Sequence, residues 1–163
     1  MPRFSHFAIR DLAFTALAGL TWIADRRLRG RKGSIPTAVS LAAGVAAPTV
    51  AFLLHEWGHL AGSVVSGGVA HPAERLSSAF LFNFDCEASD RRQFLAMSAG
   101  GYIASAVGLA VILAKTPPTL SGKLARHLAA LGGVATVVLE VPPPWRVLRG
   151  GPLPSGGVYA NRR

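Results

Sequence analysis

Phe52-Leu53-Leu54-His55-Glu56-Trp57-Gly58-His59-Leu60 lies in the last third of an apolar run that extends from Ile35 to about Val65. About 20 apolar residues cross a bilayer as a helix, so the run is long enough to span with tilt. Two imidazoles and a carboxylate within five of its residues need a reason, because ionisable groups inside membrane segments are costly and usually functional. Pro48 lacks an N–H and crowds the preceding turn, which predicts a kink upstream of this cluster.

The rest of the chain has the composition of a membrane protein. Half of its 163 residues are hydrophobic and the mean hydropathy is +0.37. Charged residues make up 15%, against about 25% in an ordinary soluble domain. The net charge of +9 sits in short runs between apolar stretches, with no basic amphipathic face and no interleaved aromatics. That arrangement suits membrane flanks and argues against nucleic acid as a partner. The single cysteine, Cys86, excludes an intrachain disulfide. Arg10 and Asp11 interrupt the first apolar run, and Ala24-Asp25-Arg26 is a poor cleavage site, so the N-terminus does not read as a cleaved signal peptide.

Three further segments compete to span. Leu12–Ala24 is short, so it either crosses with the help of its flanks or lies in the interface; Arg26, Arg27, Arg29, Arg31 and Lys32 follow it and belong outside the hydrocarbon. Gln93–Ala114 carries no charge, and Gly100, Ala104 and Gly108 share one helix face where another backbone can approach closely. Leu124–Val141 has His127 near its start and Glu140 near its end, and Pro142-Pro143-Pro144 is expected to stop it. Between these segments, residues 66–92 are polar apart from Ala79-Phe80-Leu81-Phe82-Asn83-Phe84, which reads as a strand or a re-entrant loop. The expected fold is therefore an all-α integral membrane protein with three to four transmembrane helices. Residues 1–34 form a marginal helix and basic loop, 35–141 a three-helix core, and 142–163 an irregular Pro- and Gly-rich tail. With four spans, one side holds 8 basic residues and the other 9, so the positive-inside rule leaves the orientation open.

The His55–His59 spacing carries chemistry. Positions i and i+4 lie on one helix face, so both imidazoles can bind one metal ion. Glu56 then reaches a water on that metal. Zinc lowers the pKa of such a water to about 7, and the carboxylate takes its proton during attack on a carbonyl, the division of labour in HExxH metalloproteases. With this His and Glu content, chance supplies about 0.004 such matches in the chain.

Beyond that motif, residues 52–60 resemble the signature of the site-2 protease family, the intramembrane zinc metalloproteases. Ser66-Gly67-Gly68-Val69 resembles the Gly-containing turn after the family's motif, and Ala99-Gly100-Gly101-Tyr102 resembles the start of its next helix, especially in the compact bacterial branch. The likeness covers about residues 45–150. It implies a three-helix core, zinc as cofactor, His55 and His59 as ligands, Glu56 as catalytic base, a transmembrane protein substrate, and residence in the bacterial inner membrane. Many family members place a third ligand in a Leu-Asp-Gly sequence. Here Leu148-Arg149-Gly150 stands in that place, and a guanidinium has no lone pair to give.

Glu140, the only acid after Asp90, is the late-helix candidate for the third ligand. It should emerge on the same side of the membrane as the two histidines. Asp85, Glu87 and Asp90 lie in a loop on that side and stay open as alternatives, as do His71 and Cys86. His6 and His127 read as helix-end residues, and Trp22, Trp57 and Trp145 as packing or interfacial residues. Two other functions fit parts of the pattern. One is a non-catalytic membrane scaffold or accessory subunit with partner helices, suggested by Arg149 and the small size. The other is a di-iron oxidase, which would need more His and carboxylate ligands than the chain provides.

Overall fold

The computed structural model describes residues 2–159. Four helices are long and apolar enough to cross a membrane: α1 (Phe4–Leu28), α2 (Ser34–Ser66), α3 (Arg91–Lys115) and α4 (Leu120–Leu139), the last continuing into the short α5 (Pro142–Leu148). At 1.5 Å per residue α2 is about 50 Å long, so it projects beyond a hydrocarbon layer of about 30 Å. The bundle is built around α2, which packs against α1, α3 and α4. Large apolar side chains face outward, among them Leu12, Leu17 and Leu20 of α1, Ile103 and Val107 of α3, and Val134 and Val137 of α4. Asp11, Asp25, His55, Glu56, Ser63, Ser98 and Ser121 are buried. Apolar outside and polar within is the arrangement that lipid demands.

The α2–α3 seam explains the small residues. A Cβ on Gly100 would collide with the backbone of Gly58 in α2, and one on Gly62 with the backbone of Ala96. Ala104 meets Gly58, and Gly108 meets Ala51. The close approach expected of this face is thus made to α2 of the same chain. Local signals set the ends. Gly67, at φ 77°, closes α2 in the left-handed region. Asp90 and Gln93 form a capping box at the start of α3, with Asp90 Oδ1 accepting from the Gln93 N–H at 2.8 Å and Gln93 Oε1 from the Asp90 N–H at 2.7 Å.

Three expectations are corrected. The fold is not purely helical: Ala70–Pro72 (β1) and Phe82–Phe84 (β2) pair antiparallel, with His71 opposite Asn83. The aromatic run is therefore in part a strand. The first segment is not marginal, because α1 runs through Arg10, Asp11 and Asp25. These charges are satisfied between elements. Arg10 Nε donates to Asp11 Oδ1 at 2.7 Å, Trp57 Nε1 donates to Asp11 Oδ2 at 2.8 Å, and Ser40 and Ser121 donate to Asp25 at 2.6 and 2.9 Å. The three prolines do not open an irregular tail. They occupy the first turn of α5, where a missing N–H costs no helical bond. The rest of the described tail is irregular except for a 3-10 turn at Gly157–Tyr159. Residues 160–163, part of the expected tail, lie outside the described residues.

Candidate metal centre and its carboxylate neighbours

His55 and His59 lie one turn apart on α2 and face α3. Two carbonyls of α3 set their tautomers. His55 Nδ1 donates to the Gly101 carbonyl at 3.1 Å, with Ser105 Oγ 2.7 Å away, and His59 Nδ1 donates to the Met97 carbonyl at 2.9 Å. A carbonyl only accepts, so the proton resides on Nδ1 in each ring and Nε2 is left with its lone pair. The two Nε2 atoms face each other at 3.0 Å. Gly101 makes room for this: a Cβ there would collide with the His59 ring.

Glu140 follows the last residue of α4 and caps it, its N–H donating to the Thr136 carbonyl at 2.9 Å. Its own carbonyl accepts from the Tyr102 hydroxyl at 2.7 Å, which ties the end of α4 to α3. Its side chain turns inward. Oε2 lies 3.1 Å from His55 Nε2 and 3.5 Å from His59 Nε2. That oxygen is buried and is the only such side-chain atom among the described residues without a hydrogen-bond partner.

Three lone pairs thus converge with no donor between them. Such a cluster is repulsive unless a cation enters it. A proton bridges one of the contacts; a metal ion satisfies all three. The separations fit. Tetrahedral zinc with bonds of 2.0–2.1 Å sets its ligands about 3.3–3.4 Å apart, and here they are 3.0, 3.1 and 3.5 Å. His55, His59 and Glu140 are the one group of three or more potential ligands found close together among the described residues. Three protein ligands leave a tetrahedral ion one open position, the mark of catalytic rather than structural sites.

Glu56 stands beside this group. Its Oε2 accepts the Leu81 N–H at 3.0 Å, and its Oε1 lies 4.0 Å from His55 Nε2. Leu81 belongs to the loop ahead of β2, and Arg10 of α1 holds that loop by donating to the carbonyls of Leu76 and Ser78 at 2.6 and 2.9 Å. Glu56, His59 and Glu140 share a cavity of about 80 Å³ with Phe80, Phe82, Phe84, Met97, Ser98, Tyr102, Val158 and Tyr159. The carboxylate that could move a proton and the open side of the cluster therefore face the same apolar space.

The alternative third ligands lie elsewhere. Asp85 accepts from the Ala88 and Glu87 N–H groups at 2.9 and 3.0 Å, and its Oδ2 is 3.3 Å from His71 Nε2. The Ala88 N–H, followed by His71 and the Glu87 N–H, holds its carboxyl below the usual range. Asp90 is spent on the α3 cap, and Glu87 is exposed. Burial, with Asp85 beside it, pushes the Cys86 thiol up to about 11, which keeps it protonated. Arg149 lies over the Trp145 ring, 4.7 Å from its centroid, and takes no part in the cluster. His6 Nδ1 accepts the Arg3 N–H at the start of α1, and His127 bonds the Lys123 carbonyl one turn back. Trp22 packs in the apolar cluster around Ile112 and Ala125.

Sequence reasoning missed the groups that orient the cluster. Tyr102 follows Gly101 directly on α3 and Ser105 lies about one turn beyond it, and only the tandem Gly100-Gly101 hinted at a close approach there. The part played by Asp11, Arg10 and the Leu81 N–H needed contacts across 25 to 68 residues of sequence. Nothing local announced Val158 and Tyr159. No family model, curated protein or solved structure matches this chain.

Proposed function

We propose that this chain is an intramembrane zinc metalloprotease that cleaves membrane-embedded or membrane-proximal peptide segments of other proteins. The observation that carries the proposal is the convergence of His55 Nε2, His59 Nε2 and the orphaned Glu140 Oε2 beside Glu56. The resemblance of residues 52–60 to the site-2 protease signature points the same way. Zinc held by these three groups supplies Lewis-acid polarisation of a peptide carbonyl and makes water acidic enough to be deprotonated near neutral pH.

The protein's own groups do the rest. Gly101, Met97 and Ser105 fix both imidazoles so that Nε2 is free to bind. The Leu81 N–H anchors one oxygen of Glu56, and the other is left to accept a proton from the attacking water and return it to the leaving amine. Aromatic and apolar side chains make up most of the cavity wall, which lowers the local dielectric and strengthens the electrostatic contacts within it. A helical substrate hides its carbonyls, so it has to unwind. β2 has β1 on one edge and no described strand on the other, leaving an edge on which an extended segment can pair.

The test is metal content and cleavage together. Detergent-purified protein is expected to hold one zinc, lost in His55→Ala and in His59→Ala. Glu56→Gln is expected to keep the zinc and to lower cleavage of a membrane substrate by about 10²–10⁴-fold, the usual worth of a general base. Full zinc occupancy in the doubly substituted protein would sink the site assignment. Zinc binding without Glu56-dependent cleavage of any membrane substrate would favour the scaffold function.

A further inference from the structure

We propose that the C-terminal segment Gly151–Tyr159 is an intramolecular strap that closes the cavity beside Glu56, His59 and Glu140 and has to swing away before a peptide can enter. The need to admit a peptide rests on the protease reading; the closure does not. Val158 and Tyr159 form part of the cavity wall, together with residues of α2 and α3, the Phe80–Phe84 segment and Glu140. A space of about 80 Å³ is well below the ~300–1,000 Å³ of ordinary ligand pockets and does not accommodate a peptide segment. Admission of a substrate therefore requires some part of the wall to move.

The strap is the part best made to do so. It is seated by side chains: Leu153 and Tyr159 pack on the apolar cluster of Phe84 and Phe94, with the Tyr159 ring edge-on to Phe94 at 5.7 Å. Among the described residues, no hydrogen bond joins 152–159 to another element. A backbone bond within it runs from the Tyr159 N–H to the Gly156 carbonyl at 3.1 Å. Pro152 and Pro154 have no N–H to satisfy. Among the described residues, lifting the strap thus breaks no hydrogen bond to the helices or to the hairpin. The other walls are fixed: α2 and α3 are locked backbone to backbone at Gly58, Gly62 and Gly100, and the Leu81 loop is held by Arg10 and Glu56. The strap also has a place to turn. Its root is set by the Gly151 N–H on the Arg146 carbonyl at 2.9 Å, just after Gly150 at φ 92°, and a second left-handed glycine, Gly156 at φ 94°, precedes the turn at Gly157–Tyr159.

The experiment reads closure without reading proteolysis. In a Cys86→Ser background, Ser98→Cys places one thiol on the cavity wall, and Ser63→Cys in a parallel protein places one thiol in the packed interior, where Ser63 is fully buried. Labelling by a water-soluble maleimide is measured in detergent for the full chain, for Tyr159→Ala, and for a chain ending at Gly151. Residue 98 is expected to label slowly in the full chain and at least about tenfold faster in the other two, with residue 63 slow throughout. Equal rates at residue 98 in all three proteins would overturn the strap, and so would acceleration at residue 63 to the same degree, since that reports loosening of the whole bundle. Cleavage assays on the same proteins separate the two proposals. Faster labelling with faster cleavage supports both, whereas faster labelling with no cleavage by any variant keeps the strap and removes the protease.

Discussion

Gly101→Ala should disable the metal centre while sparing the fold. A Cβ at this position would collide with three atoms of the His59 ring, Cε1, Nε2 and Nδ1. Non-bonded carbon contacts settle near 3.5–4.0 Å, so the ring has to retreat by roughly 1 Å or more. Zinc tolerates ligand displacements of only about 0.2 Å, so a ring so moved no longer binds. His59 would also lose its bond to the Met97 carbonyl, and with it the fixed tautomer. The helix does not suffer in the same measure. Alanine is favoured over glycine within a helix by about 1 kcal/mol, which offsets part of an overpacking cost of about 1–3 kcal/mol. The zinc affinity of Gly101→Ala should therefore fall as far as that of His59→Ala, with a melting temperature in detergent within a few degrees of that of metal-free wild type. Gly132→Ala is the control, since a Cβ there meets nothing within 4 Å. Zinc content and chelator competition measure the effect. Wild-type affinity in Gly101→Ala would refute the account of how α3 seats His59.

Four other substitutions test neighbouring contacts. Ser105→Ala should weaken zinc binding by roughly tenfold, the low end of the 10–100-fold usual for a partner of a ligating histidine, because His55 keeps the Gly101 carbonyl; an unchanged chelator titration would show that Ser105 is a bystander. Glu140→Gln should weaken zinc binding by more than that range, while Asp85→Asn should leave it intact, since Asp85 is engaged with His71 and the Glu87 and Ala88 N–H groups; the reverse pattern would move the third ligand into the loop. Asp11→Asn should cost about 1.5–3 kcal/mol of stability, the range for hydrogen bonds to a charged group, because it takes the carboxylate from Arg10 and from Trp57; thermal unfolding in detergent reads it, and an unshifted transition would mean that α1 is not held at this point.

The parts of this molecule legible in sequence were those written in local periodicity. Hydropathy alone located α2, α3 and α4 to within a few residues, and helical spacing put His55 and His59 on one face. The expectation that Glu140 comes level with His55 and His59 rested on counting helices, and the three lie together at one end of the bundle. What failed was whatever depended on a partner far along the chain. Arg10, Asp11 and Asp25 read as charges that cut α1 short, because Trp57, Ser40, Ser121 and the carbonyls of Leu76 and Ser78, which satisfy them, lie between 15 and 96 residues away. β1 and β2 have three residues each, too few for alternation to register, and the Leu81 N–H that holds Glu56 comes just before that hairpin strand. The prolines at 142–144 were read by their power to end a helix, when their place in the first turn of the next one decided the outcome.

The pairing of polar groups distinguishes structure from chemistry inside this bundle. In hydrocarbon an unpartnered polar atom is severely penalised, so the buried ones should all be matched. Asp11 has Trp57 and Arg10, Asp25 has Ser40 and Ser121, Ser63 reaches the Gly68 carbonyl, and Ser98 reaches the Phe94 carbonyl. These groups fasten helices to one another, and nothing about them asks for a ligand. Among the described residues the exception is a single place, where Glu140 Oε2 has no donor and faces two imidazole nitrogens whose protons have been drawn to the opposite side of each ring. A bundle that satisfies its other described buried side chains and leaves three lone pairs aimed at one point offers a place for a cation, which is the ground for the proposed metal site. Glu56 and an apolar cavity border that same point, which is the ground for proposing that a proton is moved there. The inference depends on the contrast between these two kinds of buried group more than on the motif itself, since an HExxH sequence whose imidazoles were fully engaged with neighbouring helices would fasten α2 in place and do no chemistry.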